Sequence, residues 1–275
     1  MAPGRRRLDA ELVRRKIARS REQAVEWIKA GRVEVGGFVA KKPATVVEPD
    51  VSIKVAEVEG DDWASRGAHK LLGALEAFEP LGLDVTGKRA LDAGASTGGF
   101  TDVLLRRGVK EVVAVDVGYG QLVWRLQTDE RVTVLDRTNI RHLTPEMMDG
   151  PAQLMVGDLS FISLELVLPA IAACLEDGAD LLPMVKPQFE VGKERLGSGG
   201  VVRSPELRAE VTLGVAEFAR TLGLSCRAAV ASPLPGPSGN VEYFLWLVKD
   251  GGKSAPSQGD LAAMIQRAVE EGPKN

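Results

Sequence analysis

The stretch Leu91-Asp92-Ala93-Gly94-Ala95-Ser96-Thr97-Gly98-Gly99-Phe100 decides the fold, because it joins an apolar strand end to a glycine-rich turn that opens a helix. Gly94, Gly98 and Gly99 lack a Cβ atom where the backbone must bend sharply or pass close to a ligand. In the dinucleotide-binding fingerprint the second glycine lets the backbone approach a pyrophosphate, and Ser96 stands at that position here. The turn therefore predicts a ligand that has no pyrophosphate.

A second apolar strand, Val112-Val113-Ala114-Val115, ends in Asp116, where Rossmann-type folds bind ribose hydroxyls. A glycine turn with a distant acid suggests an adenosine-bearing ligand, and S-adenosylmethionine supplies adenine, ribose and a sulfonium without phosphate. The alternative is an ordinary strand-loop-helix connection whose glycines serve only packing. The predicted cofactor-binding residues are Asp92, Gly94, Ala95, Ser96, Thr97, Gly98, Gly99, Phe100, Asp116, Val117, Gly118 and Asp158.

Charge is unevenly distributed along the 275 residues, although the net charge is only −3 and the 44% hydrophobic content allows a normal core. Residues 1–42 hold 12 Lys and Arg against 5 Asp and Glu, so this segment carries +7 and the remainder −10. A small basic segment on an acidic body indicates a polyanionic partner, most simply nucleic acid. A merely solvated basic arm is the alternative.

Two cysteines, Cys174 and Cys226, have neither a metal-ligand nor a disulfide spacing and are predicted to be core thiols in a reducing compartment. No metal site is predicted, because His69 and His142 are isolated. No secretory signal follows the charged start, and no apolar run reaches the roughly 18 residues of a membrane span. We therefore expect a cytoplasmic protein without a membrane partner.

The first sixty residues predict a small α+β unit. Apolar residues at helical spacing over 5–30 predict two short helices, with Ser20 and Gln23 forming a capping box for the second. Short strands and a Gly36-Gly37 turn follow. Over about residues 5–58 this unit resembles the S4 RNA-binding domain, through Arg7-Leu8-Asp9, Leu12, Ser20-Arg21, Ala24, Ile28, Gly31-Arg32-Val33, Val35, Lys42-Pro43 and Asp50-Val51.

Basic side chains cluster around the predicted helix junction, where guanidinium groups could hold phosphates bidentately. The predicted RNA-binding residues are Arg5, Arg6, Arg7, Arg14, Arg15, Arg19, Arg21, Lys41 and Lys42. Trp27 and Phe38 are expected to be core partners of Ile28 and Val39, which leaves no aromatic side chain for stacking on single-stranded bases. Recognition through shape and phosphate is therefore favoured.

Strands and helices alternate from Lys70 to Val248, which predicts a Rossmann-like α/β fold with a parallel sheet and helices on both faces. The helices are predicted to include 120–127 and 163–176. A last strand after the Pro- and Gly-rich loop 233–240 is compatible with an antiparallel pair. The predicted domains are an S4-like domain at 1–59, a linker at 60–66, the α/β domain at 67–250, and a tail at 251–275 with a short amphipathic helix.

Four charged residues are predicted to meet at one edge of this sheet, because ligands of open α/β sheets bind at the carboxyl ends of the strands. Asp158 and Lys186 end two apolar strands, and Glu242 begins the last strand. Lys70 starts the helix that enters the domain and could reach the same place. The carboxylates would hold the cations, and a partly desolvated lysine beside another cation can act as a base. The alternative for each residue alone is an ordinary surface charge.

Six motifs over nearly the whole chain resemble the TlyA family of ribosomal RNA 2′-O-methyltransferases: Ser65-Arg66-Gly67-Ala68-His69-Lys70, residues 91–101, residues 116–122, Asp158-Leu159-Ser160-Phe161-Ile162-Ser163, Val185-Lys186-Pro187-Gln188-Phe189-Glu190 and Gly236-Pro237-Ser238-Gly239-Asn240-Val241-Glu242. The resemblance implies an FtsJ-like methyltransferase domain whose catalytic tetrad is Lys70, Asp158, Lys186 and Glu242. It implies S-adenosylmethionine as cofactor and 2′-O-methylcytidine in ribosomal RNA as product.

The family has members that modify both ribosomal subunits and shorter members that modify only the large one. The arginine-rich start and the C-terminal helix resemble the two-subunit type, and the partners that the resemblance implies are 30S subunits, 50S subunits or both. The chain is expected to act as a monomer. Two alternatives belong to other classes: a membrane-lytic protein, since the family has carried a haemolysin name, and a non-catalytic ribosome-binding or assembly factor.

Overall fold

A computed structural model describes residues 5–15, 17–18, 20–56, 62–236 and 238–273, with nothing described for the side chain of Ser198. The chain divides into two compact units, Met1–Asp62 and Trp63–Asn275. In the described part of the chain, no helix has the length and apolar character that crossing a membrane requires. Each unit has its own hydrophobic core.

The first unit packs two short helices on short strands. Its elements are β1 (Arg6–Arg7), α1 (Leu8–Arg14), α2 (Arg21–Lys29), β2 (Val33–Val35), β3 (Phe38–Val39), β4 (Val46–Val47) and β5 (Ile53–Val55). Strands β3, β2 and β5 form one antiparallel sheet, and β1 pairs with β4 in another. The hydroxyl of Ser20 accepts from the backbone N–H of Gln23, which confirms the predicted cap of α2.

One core prediction in this unit is wrong. Phe38 is 81% exposed and Val39 is 48% exposed, so neither belongs to the core. Both residues form the whole of β3, an edge strand that has β2 as its only neighbour in the sheet and follows the turn Gly36-Gly37. Trp27, in contrast, packs partly buried against the core that contains Ile28, as predicted.

The second unit is a seven-stranded sheet with helices on both faces. Its elements are α3 (Ala68–Phe78), β6 (Arg89–Ala93), α4 (Gly99–Arg106), β7 (Glu111–Val115), α5 (Trp124–Gln127), β8 (Val132–Leu135), β9 (Ala152–Gly157), α6 (Leu168–Ala173), β10 (Leu175–Val185), α7 (Pro187–Glu190), α8 (Pro205–Thr221), β11 (Leu224–Ala231), β12 (Tyr243–Lys249) and α9 (Gln258–Glu271). The strand order is β11-β12-β10-β9-β6-β7-β8. This arrangement confirms the Rossmann-like fold class.

Core layers on both faces of the sheet explain why its central strands are mostly apolar. Val112 packs into one core layer and its neighbour Val113 into the layer on the opposite face, because successive side chains of a strand alternate. Strand β12 runs antiparallel to both β10 and β11, as its sequence allowed. Helix α9 buries Leu261, Ile265 and Val269 in the layer that contains Val113, which confirms the amphipathic tail helix.

Two predicted helices are shorter than expected. In place of helix 163–176, α6 covers only Leu168–Ala173 with Pro169 in its first turn, because proline lacks the N–H that a helix interior needs. Strand β10 already begins at Leu175 and contains a bulge before Asp180. In place of helix 120–127, only Trp124–Gln127 is helical. The backbone N–H groups of Gly118 and Gly120 donate to the carboxylates of Asp116 and Asp136 instead of to helical carbonyl oxygens.

The start of the second unit is held by a buried carboxylate on α4. The backbone N–H of Ala64 donates to Asp102, whose other partners are Arg106 and Arg125. The Arg106 guanidinium also lies 4.2 Å from the centre of the Trp63 ring. Residues 63 and 64, which the sequence placed in the predicted linker, thus pack within this unit.

Candidate active site

Four charged side chains from four elements meet at the carboxyl edge of the sheet. Asp158 directly follows β9, Lys186 directly follows β10, and Glu242 directly precedes the antiparallel strand β12. Lys70 reaches them from the first turn of α3. The structure therefore brings together the four residues that the sequence placed at one edge.

Short contacts link these residues in an alternating row of charges. The Nζ atom of Lys70 lies 2.6 Å from Oε2 of Glu242 and 3.6 Å from Oδ2 of Asp158. The Nζ atom of Lys186 lies 2.5 Å from Oδ1 of Asp158. Asp158 thus bridges the two ammonium groups, and each positive charge has a negative neighbour.

Burial makes this pairing necessary. Lys70 is 7% exposed, Lys186 is 6% exposed and Glu242 is completely buried. A buried charge without a partner is costly, so the row is stable only as a set. Oε1 of Glu242 makes no hydrogen bond to any described residue and is hemmed in by Gly236, where a Cβ atom would come within 2.5 Å of it.

The glycine-rich turn beside this row is shaped by left-handed backbone conformations. Gly94 and Gly98 have φ values of 85° and 98°, and Ser96 has a φ value of 47°. A Cβ atom on Gly94 would lie 3.0 Å from the carbonyl oxygen of Asp158. Glycine at this position therefore allows the turn to pass close to the end of β9.

Asp116 ties the turn to the next strand. Its carboxylate accepts hydrogen bonds from the backbone N–H groups of Ser96, at 2.8 Å, and Gly118, at 2.7 Å. A carboxylate has about four acceptor positions, so Asp116 can still accept from hydroxyl groups of a ligand. The predicted ribose-binding acid is therefore at the edge of the turn, where such a ligand would need it.

Asp92 lies beneath the turn rather than in a cavity. It is 1% exposed, and one carboxylate oxygen accepts a 2.7 Å hydrogen bond from the Thr101 hydroxyl. The other oxygen has no hydrogen-bond partner among the described residues. Burial raises the pKa of Asp92 to about 7, and the nearby negative charges of Asp158 and Asp116 act in the same direction.

Three adjoining cavities open around these groups. The outer cavity, of about 510 Å³, is lined by Gly94, Ser96, Asp116, Val117, Asn139 and Asp158 among others. The central cavity, of about 230 Å³, is lined by Lys70, Ala95, Ser96, Phe100, Asp158 and Lys186 among others. The loop cavity, of about 900 Å³, is lined by Arg141, Phe161, Lys186, Gln188, Phe189 and Glu242 among others.

Two residues directly after Asp158 extend the site. Ser160, which was not among the sequence-predicted site residues, accepts a 2.7 Å hydrogen bond from Lys186 Nζ. The sequence left Phe161 open between a residue that borders the site and a core aromatic; it is 91% exposed with a φ value of 64°, and its ring lies 5.2 Å from that of Phe189. The signal that could have found Ser160 is its place after the strand end at Asp158, where a parallel sheet presents its ligand-binding loops.

The predicted RNA-binding arginines surround two buried carboxylates of α1. Arg7 and Arg21 contact Asp9 at 2.8 and 3.0 Å, and Arg14 and Arg15 contact Glu11 at 2.6 and 2.7 Å. These arginines hold the pKa of both carboxyl groups at about 2, against the cost of burying them. The side chains of Arg7, Arg14 and Arg21 remain about half exposed, so they can also contact a ligand.

The other members of this set differ in their surroundings. Arg15 is only 21% exposed and donates to the carbonyl oxygens of Val51 and Pro49 as well as to Glu11. Arg5 pairs with Glu48 at the surface, while Arg6, Lys41 and Lys42 are exposed. Arg19 lies outside the described residues.

Comparison with known proteins agrees with this geometry. A family model described as FtsJ-like methyltransferase matches residues 63–249, and an S4 domain model matches residues 6–53. The 16S/23S rRNA (cytidine-2′-O)-methyltransferase TlyA of Mycobacterium tuberculosis is 56% identical over 98% of this chain and 99% of its own length. YqxC of Bacillus subtilis, named as a candidate rRNA methyltransferase, is 40% identical over 100% of this chain and 96% of its own.

A solved structure is also similar along nearly the full length. The protein comes from Streptococcus thermophilus, is named as a candidate hemolysin, and shares 36% sequence identity with a TM-score of 0.75. The match covers 97% of this chain and 96% of the other. The similarity in sequence and in fold therefore extends over both units of this chain.

Proposed function

Because the chain belongs to the FtsJ-like methyltransferase family, and to its TlyA branch with an S4 domain, we propose that it methylates the 2′-hydroxyl of a cytidine ribose in ribosomal RNA. The methyl donor is S-adenosylmethionine. The observation that carries the proposal is the row of Lys70, Asp158, Lys186 and Glu242 at the junction of the three cavities. The activity in the name of the Mycobacterium tuberculosis relative supports the reaction type and the nucleoside.

The outer and central cavities suit the cofactor. Asp116 stands at the outer cavity with acceptor positions for ribose hydroxyls, and the backbone passes closely at Gly94 where a side chain would intrude. Ser96 occupies the position at which a pyrophosphate would require glycine, which favours a cofactor without one. When bound, S-adenosylmethionine supplies an electrophilic methyl group on a sulfonium.

The row of charges prepares the hydroxyl that attacks this methyl group. As a neutral amine, Lys186 would take the proton of the 2′-hydroxyl while that oxygen bonds to the methyl group that bound S-adenosylmethionine would supply. Asp158 and Glu242 hold the two lysines in place, and the Lys70 ammonium contacts both carboxylates. Since a 2′-hydroxyl is a weak nucleophile, its alignment with the methyl group contributes most of the rate.

The first unit docks the enzyme on its substrate. Exposed and half-exposed basic side chains around α1 and after β3 can contact phosphates, which position a protein on structured RNA. We assign residues 1–59 to RNA docking, 60–66 to the linker, whose residues 63 and 64 pack on the second unit, 67–250 to methyl transfer, and 251–275 to a tail whose helix α9 packs on the core of that unit. We propose that the protein acts in the cytoplasm as a monomer on the 30S subunit, the 50S subunit or both.

The test is methyl transfer to subunits that lack the modification. The protein is incubated with methyl-labelled S-adenosylmethionine and either 30S or 50S subunits, and 2′-O-methylation is mapped by reverse-transcription stops at limiting nucleotide. Label on a cytidine ribose establishes the reaction and its subunit range. No label on either subunit, with cofactor binding intact, would overturn the proposal and favour a non-catalytic ribosome-binding factor.

The Lys186→Ala variant tests the role of the base in the same assay. It should abolish methyl transfer and leave RNA binding intact, because Lys186 lies at the sheet edge of the second unit and the basic cluster lies in the first. Unchanged turnover in this variant would refute the assignment of Lys186 as base.

A further inference from the structure

Ser160 occupies a singular place in the candidate active site. Of the described residues, Ser160 alone lines the outer, central and loop cavities. Its hydroxyl oxygen accepts a 2.7 Å hydrogen bond from Lys186 Nζ. A small hydroxyl therefore stands where cofactor, base and substrate must meet.

We propose that Ser160 is a positioning residue that aims the base at the substrate hydroxyl, an inference that rests on the proposed function. A lysine amine that accepts a proton has two N–H bonds and one lone pair. In the structure Nζ of Lys186 donates a hydrogen bond to Oγ of Ser160 at 2.7 Å, whereas Oδ1 of Asp158, at 2.5 Å, is an ion-pair contact without hydrogen-bond geometry. With one N–H bond pointing at Ser160, the lone pair is confined to the two remaining tetrahedral directions.

That restriction matters because Asp158 alone cannot impose it. An ion-pair contact attracts the nitrogen but does not fix the rotation of the amino group about the bond from its own carbon, so without another partner the lone pair sweeps a cone. The hydrogen bond to Ser160 removes this freedom. The Lys186 side chain also borders both the central and the loop cavities, so its lone pair can face the boundary between cofactor and nucleotide.

The backbone around Ser160 is held on both sides. Asp158, two residues earlier, is fixed by the two lysines. On the other side, Glu190 accepts hydrogen bonds from the Ser163 hydroxyl, at 2.6 Å, and from the backbone N–H of Leu164, at 2.9 Å. The hydroxyl of Ser160 is therefore presented by a short segment with fixed ends.

A purely structural role for this hydroxyl is disfavoured by its exposure. Ser160 is an exposed residue, and its side chain does not belong to the hydrophobic core. Deleting a hydroxyl at an exposed position usually changes stability by less than about 0.5 kcal/mol, as for other surface substitutions. Its loss should therefore appear in the rate and not in the stability of the fold.

The experiment compares Ser160→Ala and Ser160→Thr in the full-length protein with labelled S-adenosylmethionine and the ribosomal subunit that the wild type methylates. We expect Ser160→Ala to lower kcat by about 10- to 100-fold, the scale of a misdirected catalytic group. KM for the subunit and the Kd for S-adenosylmethionine should change by less than about threefold. Ser160→Thr keeps the hydroxyl, and its kcat should stay within about threefold of the wild type.

The matched control is Ser257→Ala, which deletes the same hydroxyl at the start of α9, an element that lines none of the three cavities. Its kcat should equal that of the wild type. The inference is overturned if Ser160→Ala keeps wild-type kcat, if Ser160→Thr is as slow as Ser160→Ala, or if the loss appears in cofactor binding. An inactive wild type with bound cofactor would instead refute the proposed function.

Discussion

The Nζ atom of Lys70 lies 2.6 Å from Oε2 of Glu242, although 172 positions separate the two residues in the chain. Lys70 belongs to the first helix of the second unit, and Glu242 precedes the last strand of its sheet. The contact therefore forms only when the whole sheet is assembled. Both side chains are buried, so neither can exchange its partner for water.

We expect Glu242→Ala to destabilise the second unit and to remove activity. The substitution leaves the Lys70 ammonium buried, with Asp158 at 3.6 Å as its remaining acidic contact. Breaking a buried pair by removing one partner typically lowers the free energy of unfolding by about 3–5 kcal/mol. Urea unfolding followed by far-UV circular dichroism measures the loss. A change below about 1 kcal/mol would show that the pair is not buried in solution.

Gly236→Ala should disturb the same carboxylate without removing any charge. A Cβ atom at position 236 would lie 2.5 Å from Oε1 of Glu242, so either this carboxylate or the backbone at position 236 must shift. Displacements of this size can lower kcat by about 10- to 100-fold. Gly214→Ala in α8 is the control, since nothing lies within 4 Å of its Cβ position. Equal kcat values for the two variants would contradict the crowded position of Glu242.

Asp92 should make the second unit less stable as the pH rises. Burial raises its pKa from 3.8 to about 7, so the folded chain binds more protons than the unfolded chain between these values. The free energy of unfolding therefore falls through this range by on the order of 4 kcal/mol and is level above it.

The measurement for Asp92 is a difference between two proteins. Asp92→Asn cannot ionise, and its side-chain oxygen can still accept from the Thr101 hydroxyl. Urea unfolding at pH 5 and pH 8 should show Asp92→Asn gaining stability relative to the wild type at the higher pH. If the free energies of unfolding of the two proteins differ by the same amount at pH 5 and pH 8, Asp92 has an ordinary pKa.

The row of four charges could be predicted from the sequence because the carboxyl ends of parallel strands meet at one edge of the sheet, and charged residues there come close together. The loop before Glu242 was compatible with an antiparallel β12 but did not determine its direction, which the structure shows to be antiparallel. The hydrogen bond from Lys186 to Ser160 could not be predicted, because it depends on the loop conformation that follows Asp158. Sequence periodicity does not describe loops.

The basic cluster shows a different limit. Positive charge predicted an RNA-binding face, but it did not distinguish arginines that point outward from those that hold buried carboxylates. The spacing Glu11 to Arg15 places both side chains on one face of a helix and could have signalled the pair. The exposure of Phe38 was missed because the sequence does not show that β3 is a two-residue strand at the edge of its sheet.

Lys41 and Lys42 should contribute to RNA binding and not to folding, because both are exposed. Replacing both by Ala should weaken binding to the ribosomal subunit. The slope of log K against log salt concentration should become shallower by up to about 0.9 for each phosphate that is no longer neutralised. The thermal midpoint should stay unchanged. Binding titrations at several salt concentrations decide the matter, and an unaltered salt slope would remove these lysines from the interface.

Arg15→Ala is the contrasting variant in the same unit. Its guanidinium joins Glu11 to the carbonyl oxygens of Val51 and Pro49, so its loss leaves a buried carboxylate with fewer partners. The folding of the first unit should weaken, most strongly above pH 5 where Glu11 is ionised in both states. Full stability of this variant would show that Arg15 faces the solvent.

Glu190 should hold the loop that carries Ser160. It is the acceptor for the Ser163 hydroxyl and the Leu164 N–H, and burial raises its pKa. Glu190→Ala leaves both donors unpaired, at a cost of about 1–3 kcal/mol for each group that stays buried. Glu190→Gln keeps an acceptor for Leu164 and can donate to Ser163, so it should retain stability and kcat. Hydrogen exchange at the Leu164 amide reports the loop directly, and equal protection in the wild type and Glu190→Ala would rule out this restraint.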